Sequence, residues 1–141
     1  MSMDQESANY SQTHHEVSKE DFETLSVIGK GTFGKVYLVR KQTGDDIGQL
    51  YAIKRIKKSV LSKRNMLQNT LSEISILQQM SNQHAVKIHY AFWSDEDLYM
   101  VLDYCAGGEL FFYLDKVGRF AEETTRFYAA NVVLALSSLH E

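Results

Sequence analysis

Gly29-Lys30-Gly31-Thr32-Phe33-Gly34-Lys35-Val36 reads G-x-G-x-x-G-x-V, and the residues after it restrict the fold more than the glycines do. In dinucleotide-binding βαβ units this glycine spacing opens a helix. Here it runs into KVYLV, residues 35–39, a β-branched and aromatic run that predicts a strand. The glycines then belong to a flap between two antiparallel strands. Glycine permits positive φ and close backbone approach, so the N–H groups of such a flap can face phosphate oxygens. A plain glycine-rich hairpin turn would give the same residues.

The remaining pattern extends this start. Phe22, Leu25, Val27 and Ile28 form a β-prone run before the glycines, and LYAIKRI, residues 50–56, forms another after them. The polar stretch QTGDDIG, residues 42–48, reads as the loop between the second and third strands. Leu67, Leu71, Ile74, Leu77 and Met80 recur at helical spacing. Residues 86–92 and 98–104 are strand-like again, separated by Ser94-Asp95-Glu96-Asp97. Gly107-Gly108 precedes a short helix over residues 109–116, which Gly118 ends. Residues 121–141 contain no glycine and are apolar nearly all round, through Phe127, Tyr128, Val132, Val133, Leu134, Leu136 and Leu139. Such a helix expects burial on every side.

Two charged residues fall inside apolar elements. Lys54 ends Tyr51-Ala52-Ile53-Lys54, and a lysine in an apolar strand is costly without a partner. Phosphates or a carboxylate would serve, and so would a stem that carries the ammonium out to water, in a neighbourhood where Arg55, Lys57 and Lys58 suggest that exposed charge is tolerated. Glu73 lies on the amphipathic helix, where it can pair with Lys54, remain solvated, or close a capping box with Thr70.

Residues 98–110, LYMVLDYCAGGEL, resemble the fifth strand and hinge of the AGC group of serine/threonine protein kinases. Gly118-Arg119-Phe120 and Arg126-Phe127-Tyr128-Ala129-Ala130 resemble the helix that comes next in that group, and the likeness runs from Asp21 to Glu141. Gly48-Gln49-Leu50-Tyr51-Ala52 is most similar to the ribosomal-protein-kinase branch. The resemblance implies an α+β fold: a kinase N-lobe of five antiparallel strands plus a regulatory helix, then the hinge and two helices of a C-lobe. Residues 1–20 are expected to be a disordered polar tail, 21–103 the N-lobe, and 104–141 the hinge and start of the C-lobe. The resemblance also implies site roles. ATP phosphates would meet Gly29, Gly31, Thr32, Phe33, Gly34 and Lys54, with Glu73 holding the lysine. Val36, Ala52 and Leu110 would enclose the adenine, with Leu102 behind it, and Ile28 would belong to the same ATP site. Backbone groups of Asp103 and Cys105 would read the adenine edge. Glu109 would meet the ribose and a basic residue of a peptide substrate. Leu77 and Ile88 would belong to an apolar spine.

Phosphoryl transfer in this family needs a catalytic-loop aspartate and a D-F-G aspartate for Mg²⁺. Neither motif occurs in the 141 residues. The expectation is therefore an ATP-binding part whose longer parent phosphorylates Ser or Thr of proteins with Mg²⁺. The isolated chain is expected to be inactive and either unstable, aggregation-prone or completed by a partner. The alternative is a non-catalytic module that binds nucleotide or a kinase regulator. A net charge of −3 gives no reason to expect nucleic acid or an anionic membrane as partner. One cysteine, Cys105, allows no intrachain disulfide and suits a reducing compartment, cytoplasm or nucleus. His14 and His15 lack further ligands at metal spacing, so no metal site is expected.

Overall fold

A computed structural model describes residues 16–63 and 65–140. Residues 1–15, with His14, His15 and most of the expected tail, lie outside the described residues. The chain forms two compact units. The first runs to Gln79 and resumes over Lys87–Tyr104; the second joins Met80–Val86 to the residues from Cys105 onward.

The first unit is a five-stranded antiparallel sheet with two helices. Its strands are β1 (Phe22–Gly31), β2 (Gly34–Lys41), β3 (Leu50–Lys57), β4 (Ile88–Trp93) and β5 (Asp97–Asp103), in the order β1-β2-β3-β5-β4. Helix α1 (Lys58–Leu61) and helix α2 (Met66–Gln79) lie between β3 and β4. Side chains of a strand alternate between faces, and β3 feeds two cores. Tyr51 and Ile53 enter one with Phe22, Val39, Tyr99 and Val101. Ile56 enters the other, where Leu61, Ile74, Ile88, Leu98 and Met100 meet. This second cluster seats α2, which buries Thr70, Leu71 and Ile74 along one stripe.

The elements match the expected strands and long helix, with shifted ends. Strand β4 begins at Ile88 because Val86 is exposed and belongs to the second unit. Helix α2 stops at Gln79, so Met80 lies outside it. Helix α1 went unforeseen because four residues carry no periodic signal; its anchor is Leu61, 1% exposed. The chain before β1 is not merely polar. Val17 packs against the first cluster, and the Asp21 carboxylate accepts the Ser18 amide at 2.8 Å.

The second unit holds helix α3 (Leu110–Val117) and helix α4 (Glu122–His140). Gly118 ends α3 with φ 74°, donating its N–H to Leu114 O at 2.8 Å, a left-handed cap that favours glycine. The segment Met80–Val86 meets α4 through polar contacts. Asn82 Nδ2 donates to Leu134 O at 3.1 Å, and His84 Nδ1 lies 2.8 Å from Asn131 Oδ1. Neither α3 nor α4 buries a side chain. Among the described residues no helix is long and apolar enough to cross a membrane.

Candidate functional site

Register places much of the expected site on one face of the first unit. Directly opposed residues of antiparallel strands share a face. Gly29 opposes Val36, Val36 opposes Lys54, and Ala52 opposes Leu102, so these five lie on the side that also carries α2. Ile28 falls at a β-bulge between the pairs Val27–Tyr37 and Gly29–Val36. The flap closes as a tight hairpin, with Thr32 and Phe33 between the paired Gly31 and Gly34.

The glycines act differently from the expectation. None of Gly29, Gly31 and Gly34 has positive φ; among the described residues the glycines that do are Gly44, Gly48, Gly108 and Gly118. Gly34 is required by packing, since a Cβ there would collide with the Arg55 carbonyl oxygen of β3. At Gly31 a Cβ would come no nearer than 4.0 Å to Gly34 O, so the fold itself leaves that position open.

From this face Lys54 Nζ reaches Glu73 Oε1 of α2 at 3.2 Å, with side chains 31% and 45% exposed. Thr70 sits inside the helix, not at its start, so Glu73 closes no capping box. A pair this open contributes little stability; in register, Lys54 opposes Val36, which opposes Gly29 of the flap. The opposite face is arranged otherwise. Arg55 gives Asp97 Oδ2 two bonds, from Nε at 2.8 Å and from its terminal nitrogen at 2.6 Å. The hydrogen bond to Asp97 raises the guanidinium pKa. Asp97 is 2% exposed, and its Oδ1 has no hydrogen-bond partner among the described residues. A cavity of about 400 Å³ beside the flap is lined by Tyr37, Arg55, Lys57 and Val60, and by neither Lys54 nor Glu73.

Asp103 ends β5. Its carboxylate accepts the Lys87 N–H at 2.9 Å and lies 2.6 Å from His89 Nε2. Burial pushes this carboxyl up, but the His89 and Lys87 hydrogen bonds outweigh it and hold the pKa below the ordinary value. Behind His89 stands the Tyr51 ring, and Asp46 of the β2–β3 loop accepts the hydroxyls of Tyr51 at 2.7 Å and Tyr90 at 2.8 Å. His89, Asp46 and Asp97 were not singled out as partners from the sequence. Their cue was faint: polar residues alternating with apolar ones in short strands and a loop. Cys105, Glu109 and Leu110 lie in the second unit, all exposed. Among the described residues no group of three or more His, Cys, Asp or Glu side chains is placed to hold a metal.

The glycine flap, the strand lysine and its helix glutamate coincide with a match to the protein kinase domain over residues 22–141. The chain belongs to the protein kinase family. Its kinase relatives include "Protein kinase 2" of Dictyostelium discoideum, 46% identical over 132 residues, which cover 94% of this chain and 27% of that protein. The "RAC family serine/threonine-protein kinase homolog" of the same organism is 44% identical, over 88% of this chain and 27% of its own length. Human "Ribosomal protein S6 kinase alpha-6" is 44% identical over 92% of this chain and 18% of that protein. The family is thus the serine/threonine kinases of the AGC group, and the chain spans about a quarter or less of the length of these kinases.

Proposed function

We propose that the first unit binds ATP, and that a longer protein containing this chain transfers the γ-phosphoryl group to Ser or Thr of protein substrates. The observation that carries the reading is the Lys54–Glu73 pair at 3.2 Å, on the face of the sheet that also carries Gly29 and Val36. Lys54 donates to phosphate oxygens, and Glu73 keeps the ammonium from turning to solvent. Amides of residues 29–34 line the flap over the phosphates. Val36 and Ala52 offer apolar surface to the base, Leu102 stands behind it, and the Asp103 carbonyl reads its edge. The roles of Ile28, Cys105, Glu109 and Leu110 rest on the family likeness alone. Bound magnesium would neutralise charge between the phosphates; none of these residues is proposed to hold it. The 141 residues alone are proposed to bind nucleotide without transferring phosphate, in a reducing compartment, cytoplasm or nucleus.

The test is calorimetric titration of ATP into the chain and its Lys54→Ala variant. A charge-assisted hydrogen bond is worth roughly 1.5–3 kcal/mol, so affinity should fall about ten- to a hundredfold. An unchanged dissociation constant would remove Lys54 from the site. A chain that binds no ATP would leave the reading of a module for a kinase regulator.

A further inference from the structure

We infer that His89 is a positioning residue for the base-reading end of β5, acting through Asp103. The inference rests on the proposed nucleotide site and adds to it a residue that the sequence pattern left as ordinary strand.

Three bonds fix the end of β5 to the start of β4. The Asp103 N–H donates to Lys87 O at 3.0 Å, the Lys87 N–H donates to Asp103 Oδ2 at 2.9 Å, and His89 Nε2 lies 2.6 Å from Asp103 Oδ1. A carboxylate only accepts, so Nε2 carries the proton. The first two bonds use main-chain donors that any sequence would supply. The third needs a side-chain donor at the reach of Nε2, and the backbone is bent to put it there. Ile88 opposes Leu102 and Tyr90 opposes Val101, which leaves His89 as the extra residue of a β-bulge. Ile88 consequently packs in the α2 cluster and Tyr90 against the other one, although unbroken alternation would put both on one face. Bulges re-aim side chains in this way.

The imidazole is also backed. The Tyr51 ring lies 4.9 Å from it, centroid to centroid, and Tyr51 is held by its hydroxyl on Asp46. His89 and Asp103 side chains are 25% and 43% exposed. A side-chain pair so open contributes little to overall stability. Its effect is local: it fixes the residue at which β5 leaves the sheet, whose carbonyl the proposed site sets against the adenine edge.

The experiment compares ATP and adenosine binding to the full chain by calorimetry at neutral pH. In His89→Ala both ligands should weaken by the same factor, about three- to tenfold, because the base is what both share. Lys54→Ala should weaken ATP and spare adenosine. His89→Gln, whose amide reaches as far as Nε2, should restore binding, whereas His89→Asn is too short and should behave like alanine; should the alanine variant fail to fold, this amide pair carries the test. ATP and adenosine affinities unchanged in His89→Ala, or a loss for ATP alone, would overturn the inference while the nucleotide site stands. A wild-type chain that binds neither ligand would overturn both.

Discussion

Two adjacent residues of β3 show how position separates function from stability. Lys54 and Arg55 are both cationic and both paired with a carboxylate, but they face opposite sides of the sheet. Lys54 meets Glu73 in the open, so Glu73→Gln should leave the melting temperature nearly unchanged, exposed pairs being worth about 0–1 kcal/mol. ATP affinity should nonetheless fall in that variant, because the ammonium loses its guide. Arg55 covers the carboxylate of Asp97, which is 2% exposed. Arg55→Met would leave that charge buried without its cation, at a cost of about 3 kcal/mol. Denaturant melts and ATP titrations on the two variants should give opposite rankings. A stability loss in Glu73→Gln as large as in Arg55→Met would contradict this division. The sequence showed both cations but not their difference. An apolar strand with a lysine poses the question of a partner, whereas the burial of Asp97 depends on which strand becomes the neighbour.

At the scale of elements, the flap and the β2–β3 loop were located by the sequence and explained by the structure. The G-x-G-x-x-G spacing marks the flap, yet no motif glycine uses the left-handed region. Gly34→Ala should therefore damage the fold, by about 1–3 kcal/mol of overpacking against the Arg55 carbonyl. Gly31→Ala should leave stability intact, since a Cβ there meets nothing nearer than 4.0 Å, and on the proposed function it should reduce ATP affinity. Equal melting temperatures for these two variants would refute the packing role of Gly34. The loop after β2 was legible as a polar turn, but its attachment was not. Asp46 accepts the hydroxyls of Tyr51 and Tyr90 and lies 3.7 Å from Lys41, itself 3% exposed. Burial pushes the Asp46 carboxyl up, but these hydroxyls and the lysine outweigh it, leaving the pKa below the usual 3.8. Burial and the bond to Asp46 likewise raise the Tyr90 phenol to about 12. A carboxyl lowered by folding stabilises the protein above its unfolded pKa, and that contribution disappears as pH falls through the folded value. Asp46→Asn should thus be less stable than wild type at neutral pH, with the gap closing below about pH 4. A gap that stays constant down to about pH 2 would show that the ionised form of Asp46 contributes nothing.

On the scale of the whole molecule, the sheet, its order of elements and the helix that seats on it were readable because each buries a clear apolar period. The partition into two units was not. Met80–Val86 comes after α2 without a break in composition, yet it joins the second unit through Asn82 and His84, polar contacts that leave no hydrophobic pattern. Helix α4 was expected to be buried on all sides, and in this chain it is not: Phe127 is 65% exposed and Val133 63%. Full burial of such side chains is worth roughly 1.5–3 kcal/mol each. The second unit reaches full burial at none of its described residues, all of which are exposed or only partly buried. Contiguous apolar faces of this kind mark interaction surfaces or aggregation sites. The two units should therefore differ sharply in resistance when the 141-residue chain is prepared alone. Brief digestion and mass spectrometry should detect peptides from residues 105–140 first, while the paired strands β2, β3 and β5 persist. The chain should also bind a hydrophobic dye and self-associate as concentration rises. A monomer that binds no dye and protects residues 121–140 as long as β3 would show that these faces are already satisfied within the chain.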